Sequence, residues 1–379
     1  LNDDIVFPEN LQTLLMGTQK LLIKEKIGMG FNTALPSSVP LQEVDPIQKK
    51  DIFKVTGNTQ VLLYSGNKVP MAIKATQHQA KALNYLTEKE KNKLIVEVTD
   101  TYDQLALVLA SAKVLTASEK VLDEQSLFVE KAIENGLATP IERQKILLAK
   151  ERLNIKKLEY STNKQLLIEK LKELTDEDAV MLENLNPTIT PAMLNANLPT
   201  NERVEIKSID EAIKALDYKQ KMEKTDFIPK LAAFGQYEFR KENLSLLEPV
   251  WYAGVRLQWN IFDGFTAKEN VKKIDLQKKM YLEQKKEIVD LQKLGITKAN
   301  VDLARATQKI RMCNEQLKLT NKTYDLVNKQ YRNGLTTLTE LLNAINDKER
   351  AELEIIGAYY EQRKANIQLQ DVKGILSLN

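Results

Sequence analysis

The chain has 379 residues, of which 55 are basic and 52 are acidic, so its formal net charge is only +3. This balance argues against a concentrated basic surface and therefore against nucleic acid as a partner. The single cysteine, Cys313, excludes an intramolecular disulfide, and the single histidine, His78, leaves no Cys/His set for zinc.

The sequence is compatible with either a soluble protein or a membrane protein. No segment reaches the roughly 20 consecutive apolar residues that a transmembrane helix needs. The first residues also lack the pattern of a signal peptide. The protein is therefore either soluble, or it crosses a membrane by strands and its export signal lies outside this chain.

The first predicted elements are a loop, a strand and a very long helix. Residues 1–50 contain four prolines and predict a long loop with one short helix, and residues 51–65 alternate like a strand. Between Gly66 and Gly136 the only breaker is Pro70, which falls in the first helical turn, where proline is tolerated. This segment predicts about 67 residues of helix, about 100 Å long.

A turn and a second helix follow, and they predict an antiparallel hairpin. Asn135-Gly136-Leu137 is a short turn signal, and a turn this short forces neighbouring helices to run antiparallel. The helical pattern then continues to residue 174. Four apolar positions of the first helix recur with spacings of three and four, which is typical of a coiled-coil seam: Leu105, Val108, Ala112 and Leu115.

The middle of the chain changes character. Residues 175–206 hold three prolines and many Asn and Thr residues, which predicts a linker or small irregular region, and residues 207–226 return to a helical pattern. Residues 227–264 predict two strands. In the second strand, from Val250 to Phe262, Trp251 and Trp259 bound an apolar face, which fits either a soluble sheet or an outer-membrane barrel with aromatic girdles.

The remaining residues repeat the first unit 198 positions later. Ile261-Phe262-Asp263-Gly264 corresponds to residues 63–66, and residues 333–337 correspond to residues 135–139. Residues 265–379 therefore predict a second hairpin of the same length. The seams predicted for this hairpin include Cys313 as a packed small residue, and on the partner helix Leu341, Ala344, Ala351, Ala358 and Ala365.

The order of these segments resembles the TolC-like outer-membrane efflux protein family from about Asp51 onward. The resemblance rests on the strand that ends at Gly264, the long helix after it, the Tyr331 to Thr337 tip, and Leu341-Leu342-Asn343-Ala344. Phe227 to Leu231 and Trp251 to Val255 match further landmarks. The order and spacing of these motifs, present twice, make the resemblance specific.

The resemblance implies a mainly α fold with a membrane β-barrel. Long antiparallel coiled-coil hairpins would form a periplasmic α-barrel, and each subunit would give four strands to a trimeric twelve-stranded barrel. Open strand edges are forbidden in lipid, so closure must come from other chains. The expected boundaries are an extracellular loop at 1–50, a barrel strand at 51–65, the first hairpin at 66–174, a linker at 175–206, a helix at 207–226, a barrel hairpin at 227–264 and the second hairpin at 265–379.

The start of the chain departs from the family pattern. Relatives open with a signal peptide or lipid-attachment cysteine, a helix and a first strand, and none of these precedes Asp51 here. The expectation is that the first strand lies outside this chain and that residues 1–50 connect the first strand to the second.

The resemblance also implies which residues carry function. The hairpin tips would receive a periplasmic adaptor protein through Gly136, Leu137 and Thr139 in one hairpin and Gly334, Leu335 and Thr337 in the other. Each motif is also simply a good turn and cap. Glu340 and Asn343 occupy positions where relatives narrow the tunnel with acidic residues. The alternative for Glu340 is an ordinary solvated glutamate of a helix.

Together these features predict a passive exit duct for efflux or type I secretion. Its partners would be two further copies of itself, a periplasmic adaptor (membrane fusion) protein, an inner-membrane transporter and outer-membrane lipid. No nucleotide-binding loop, catalytic triad or metal constellation occurs in the sequence, so neither enzymatic activity nor a cofactor is expected. The alternative is a periplasmic coiled-coil adaptor or structural interaction protein, but an adaptor would lack two tandem units and the Trp251 to Trp259 strand.

Overall fold

The computed structural model describes residues 53–193, 198–242 and 250–376, so the loop expected at residues 1–50 lies outside the described part. None of the helices in these ranges combines the length and apolar character needed to cross a lipid bilayer. In chain order the elements are β1 (Phe53–Tyr64), α1 (Lys68–Glu134), α2 (Pro140–Thr175), α3 (Ala179–Glu183), α4 (Val204–Lys224), β2 (Lys230–Glu242), β3 (Trp251–Gln258), α5 (Thr266–Arg332) and α6 (Leu338–Val372).

The chain divides into a strand unit and a helical unit. The described part of the strand unit comprises residues 53–69, 225–242 and 250–265, and the helical unit comprises residues 70–193, 198–224 and 266–376. The predicted change from period two to helical spacing marks the boundaries between them.

The strand unit is a three-stranded antiparallel sheet in the order β1-β2-β3. Val61, Ala233 and Val255 are aligned across it, so apolar residues of neighbouring strands share a face. β3 is shorter than the predicted strand from Val250 to Phe262. Its last pair is Gln258 with Lys230, and the residue before Lys230 is Pro229, which has no N–H with which to continue the ladder.

The helical unit contains two copies of the same hairpin. The first hairpin is α1 with α2, and the second hairpin is α5 with α6. α1 and α5 each have 67 residues, and both begin and end at positions exactly matched by the 198-residue repeat. The predicted helix lengths and the predicted duplication are confirmed.

The predicted seams are buried. Leu105 and Leu115 of α1 are fully buried, and Cys313 is 6% exposed against Ile355 and Ala358. Near the tips the seams of both hairpins merge into one hydrophobic cluster with residues from all four long helices. Its buried members are Leu115, Leu122, Val129, Ile146, Leu153, Tyr331, Leu338, Leu341 and Ile345.

The region predicted to be irregular is partly helical. α3 lies inside the predicted linker 175–206, and Asp178 caps it by accepting a hydrogen bond from the Val180 N–H. α4 starts at Val204, before the predicted residue 207. A five-residue helix is too short for its periodicity to appear in the sequence, and the prolines and asparagines around it favour a loop.

Polar contacts join α4 to the two 67-residue helices, α1 and α5. The Ser208 hydroxyl donates to the Ala82 carbonyl of α1 at 2.9 Å. His78 Nδ1 lies 2.6 Å from Glu211, and Lys285 of α5 contacts Asp210 at 2.7 Å. His78 is therefore a helix-packing residue.

Truncating the buried seam should destabilise the helical unit. Leu115→Ala removes a fully buried side chain from the cluster that joins both hairpins, and we expect a loss of about 3 kcal/mol in the free energy of unfolding. Denaturant unfolding followed by circular dichroism measures it. Leu127→Ala on the same helix is the control, because Leu127 is 66% exposed; equal losses for the two variants would contradict the described packing.

Candidate functional site

The two hairpin tips have the same backbone geometry. Gly136 and Gly334 have φ angles of 70° and 71°, in the left-handed region that favours glycine. The N–H of Leu137 donates to the Ala132 carbonyl at 2.7 Å, and the N–H of Leu335 donates to the Gln330 carbonyl at 2.9 Å. Both tips therefore end their long helix in a Schellman motif.

The residue after each tip glycine is an exposed apolar side chain. Leu137 is 82% exposed and Leu335 is 76% exposed. A Schellman motif usually packs this residue back against its own helix. Here both leucines point away from their hairpins into solvent, which makes them available to another protein.

The two tips differ in how the next helix begins. Thr337 accepts a hydrogen bond from the Glu340 N–H, and Glu340 accepts one from the Thr337 N–H at 3.2 Å, which completes a capping box. Thr139 has the same extended backbone but makes no side-chain cap. The expectation that both threonines cap their helices is therefore wrong for Thr139. Glu142 occupies the position equivalent to Glu340, but its N–H donates to the backbone carbonyl of Thr139 at 3.0 Å and not to the hydroxyl.

Glu340 and Asn343, the predicted constriction residues, are both exposed at the start of α6. The carboxylate of Glu340 is engaged by the capping box and lies beside the positive end of the helix dipole. Asn343 lines a groove between α2 and α6.

This groove, called the tip groove below, encloses about 240 Å³. Lys145 donates to the Thr339 hydroxyl across it at 2.8 Å, and Lys156 contacts Glu349 at 2.6 Å. Glu349 is only 7% exposed on its side chain, so this ion pair ties the two hairpins together at a partly dry position. The polar residues lining the tip groove are Lys145, Arg152, Lys156, Thr339, Asn343, Asn346 and Glu349.

Sequence reasoning did not find the tip groove. Lys145, Arg152 and Lys156 look like ordinary solvated lysine and arginine residues of a helix, and only the packing of one hairpin on the other brings them opposite α6. The unequal pair at equivalent repeat positions, Lys145 and Asn343, is the one signal that the sequence offered.

A buried tyrosine lies beneath the tip of the second hairpin. Tyr331 is 9% exposed and packs edge-to-face with Phe128 at a ring separation of 5.7 Å. Burial, helped by the nearby carboxylate of Glu142, raises the pKa of Tyr331 to about 12. The ring therefore stays neutral and part of the cluster at every physiological pH.

A bidentate ion pair closes the first hairpin near its tip. Arg143 donates to both carboxylate oxygens of Glu130, at 2.6 and 2.5 Å. This hydrogen bonding lowers the pKa of Glu130. Both side chains are solvent-exposed, so the pair fixes geometry more than it adds stability.

The two tryptophans lie at opposite ends of β3. Trp251 begins the strand and is 66% exposed. Trp259 follows its last residue and is 59% exposed, and its indole N–H donates to the Phe227 carbonyl at 3.0 Å. The eight steps between them span about 27 Å of extended chain.

The described residues contain no group of three or more His, Cys, Asp or Glu side chains that could hold a metal ion. Cys313 is buried in the seam of the second hairpin, and burial raises its pKa. The thiol is therefore a packing group.

Comparison with known proteins finds a family likeness in the second half of the chain. Residues 200–374 match the family described as Outer membrane efflux protein. No curated protein sequence matches the chain significantly.

Solved structures extend the likeness to 86% of the chain. The outer membrane protein VceC from Vibrio cholerae matches with a TM-score of 0.69 at 13% identity, over 86% of this chain and 87% of that chain. A membrane protein from Pseudomonas aeruginosa gives a TM-score of 0.72 at 14% identity, over 86% and 85%. The Campylobacter jejuni CmeC outer membrane channel gives 0.68 at 15% identity, over 86% and 77%. The chain has the fold of TolC-like outer-membrane channels, as predicted.

The two tip threonines offer a matched test of the capping geometry. Thr337→Ala removes the capping box and should destabilise the first turn of α6 by about 1 kcal/mol, which is about fivefold in local opening. Hydrogen exchange of the Glu340 amide measures this change. Thr139→Ala should leave exchange at the start of α2 nearly unchanged, because its hydroxyl caps nothing; an equal effect at both tips would contradict the observed difference.

Proposed function

We propose that this protein is a passive exit duct of the outer membrane, a homotrimer that works with a periplasmic adaptor and an inner-membrane transporter. The observation that carries the proposal is the duplicated hairpin built on two helices of 67 residues each. At 1.5 Å per residue each of these two helices is about 100 Å long. Walls of this length, repeated twice per chain, suit a tunnel through the periplasm.

The sheet supports a membrane-spanning role for the strands. Trp251 and Trp259 bracket about 27 Å, close to the roughly 25 Å apolar band that aromatic girdles flank in outer-membrane barrels. Between them Val255 and Leu257 are 64% and 67% exposed, and none of the described residues covers them. Lipid is the partner that suits an apolar exposed face of this height.

The sheet also needs other chains. Among the described strands β1 and β3 are the two edges of the sheet, and each has one unpaired side. Unpaired backbone groups are too costly in hydrocarbon, so the edges must be satisfied by strands of further copies. A closed ring of identical subunits provides these strands.

The helices carry complementary faces for such a ring. Five exposed apolar residues of α5 lie within about 40° of one another around the helix at 100° per residue, and four residues of α2 form a similar stripe. The α5 stripe is Leu294, Val301, Met312, Leu319 and Leu326, and the α2 stripe is Ile141, Leu148, Ile155 and Leu166; all are at least 53% exposed. We infer that the α5 stripe of one copy packs on the α2 stripe of the next, a head-to-tail contact that closes into a ring.

The tips are the proposed adaptor-contact surface. Leu137 and Leu335 present two exposed apolar side chains per subunit on rigid glycine turns. In a trimer these leucines would form six equivalent anchor points, each suited to an apolar pocket. Gly136 and Gly334 set the turns, and Thr139 and Thr337 occupy the N-cap positions just before α2 and α6.

Glu340 and Asn343 are the proposed constriction. Three copies of Glu340 around a threefold axis would repel one another and favour a bound cation or proton. The capping box fixes the Glu340 carboxylate at the start of α6 and so holds it at one level.

Disrupting the proposed ring contact tests the duct. The wild-type protein should fractionate with the outer membrane as a trimer that dissociates on heating. Leu319→Glu places a carboxylate in the middle of the α5 stripe and should abolish this trimer, because an unpaired charge would be buried in an apolar contact. Asn314→Glu, on a different exposed face of α5, is the control and should leave the trimer intact. A wild-type protein recovered as a soluble monomer would overturn the proposal.

Conductance tests the constriction. Glu340→Ala removes three carboxylates from the proposed ring and should raise single-channel conductance in planar bilayers. Glu340→Gln separates charge from capping, because glutamine can still close the capping box. An increase in both variants supports a charged constriction, and an unchanged conductance in both would remove the gate role.

A further inference from the structure

The tip groove carries two basic side chains with no acidic partner. Lys145 reaches only the neutral Thr339 hydroxyl, at 2.8 Å. Arg152 lines the same groove, and no carboxylate in the described ranges lies within ion-pair distance of either residue. Two uncompensated cations per subunit therefore face Asn343 across the groove.

The other charges near the groove largely cancel. Lys156 is paired with the buried Glu349 at 2.6 Å. On the exposed face of α6, Asp347 lies 3.7 Å from Arg350. Neither pair offers a free carboxylate to Lys145 or Arg152.

The two remaining acidic residues sit at helix N-termini. Glu142 and Glu340 are in the first turns of α2 and α6, where each helix end contributes roughly half a positive charge. Glu340 is further engaged by the Thr337 N–H. These carboxylates are therefore partly offset by the backbone, whereas Lys145 and Arg152 stand several residues deeper and are not offset.

We propose that the tip groove is an anion-binding constriction that makes the duct select for anions, such as carboxylate- or phosphate-bearing cargo. The inference rests on the proposed function, since it requires the wall of the groove that carries Asn343 to face the lumen. Leu148 of the α2 stripe also lines the groove, so the groove opens beside the proposed contact between copies. Three copies bring six cations to the constriction, in two rings about 10 Å apart along α2. The charge that decides selectivity is then set by α2, which donates Lys145 and Arg152, and not by the acidic position of α6.

The groove has the donors that an anion needs. Arg152 presents a planar fork that matches carboxylate and phosphate oxygens, and Lys145 adds a mobile point charge. Asn343 and Asn346 line the opposite wall with amide groups that can donate N–H bonds. The volume of about 240 Å³ suits a hydrated small anion or one anionic group of a larger molecule.

The internal repeat shows that this charge is particular to the first hairpin. Lys145 corresponds to the neutral Asn343 at the equivalent position of the second hairpin, and Lys156 corresponds to Glu354. Arg152 corresponds to Arg350, which is paired with Asp347 at 3.7 Å. The uncompensated pair of cations therefore occurs in only one copy of the duplicated element.

Reversal potentials in planar bilayers test the proposal, with the purified protein and a KCl gradient. The wild-type channel should prefer chloride over potassium. The double variant Lys145→Gln/Arg152→Gln removes six charges from a trimer and should lower the chloride-to-potassium permeability ratio about fivefold, since several charges about 10 Å from the ion path act together.

Two further variants keep the test decisive. Lys145→Arg/Arg152→Lys conserves the charge and should conserve the chloride-to-potassium permeability ratio. Loss of selectivity in this variant would overturn the assignment of selectivity to charge. Lys279→Gln/Lys293→Gln removes two exposed lysines of α5 that each pair with a neighbouring aspartate, and should leave the ratio unchanged. If the wild-type channel prefers potassium and Lys145→Gln/Arg152→Gln does not alter this preference, the anion-binding role of the groove is overturned and the proposed duct is not. An absence of any conductance in the wild type would overturn the duct as well.

Discussion

The close packing of small side chains along the seam of the second hairpin is the interaction on which the rest of the structure depends. Ala344, Ala351, Ala358 and Ala365 recur every seven residues on α6, and all four are at most 6% exposed. Alanine at these positions lets α6 approach α5 closely over its whole length. A seam of this kind holds only if both helices stay straight and in register.

Register along the seams explains why the duplication is preserved so strictly. An insertion in one long helix would shift its apolar positions off the seam and would also place the two tips at different levels. α1 and α5 instead have the same 67 residues. The merged cluster near the tips, which includes Leu115 of α1 and Leu341 of α6, then locks the two hairpins to each other.

The same geometry leaves surfaces that a single chain cannot cover. Each long helix buries one narrow stripe against its hairpin partner, so further apolar stripes, including those that centre on Leu148 and Leu319, stay exposed. In a soluble monomer such stripes would promote aggregation. In a closed ring of copies these stripes would be buried in the contacts between subunits. The exposed apolar face of the strands would be buried against lipid in the same way.

Much of this architecture was predictable from the sequence, because it depends on periodicity and on glycine. The helix lengths, the seams, the turns at Gly136 and Gly334 and the apolar face of β3 all follow from spacing along one segment. The uncapped Thr139, the short helix after Asp178 and the tip groove were not predictable. Each depends on a contact that local spacing does not encode. Lys145 and Thr339, for example, belong to different hairpins and are 194 residues apart in sequence, yet their side chains form a hydrogen bond.

The central claim is that two equal hairpins from each of several copies form one tunnel wall with all tips at one level. Electron cryo-microscopy of the purified protein in lipid nanodiscs tests it most directly. The account predicts a threefold particle with a ring of twelve helices next to the tips, six of which are about 100 Å long, and six tips at the same height. A monomeric particle, or a ring in which the tips of the two hairpins end at different heights, would contradict it.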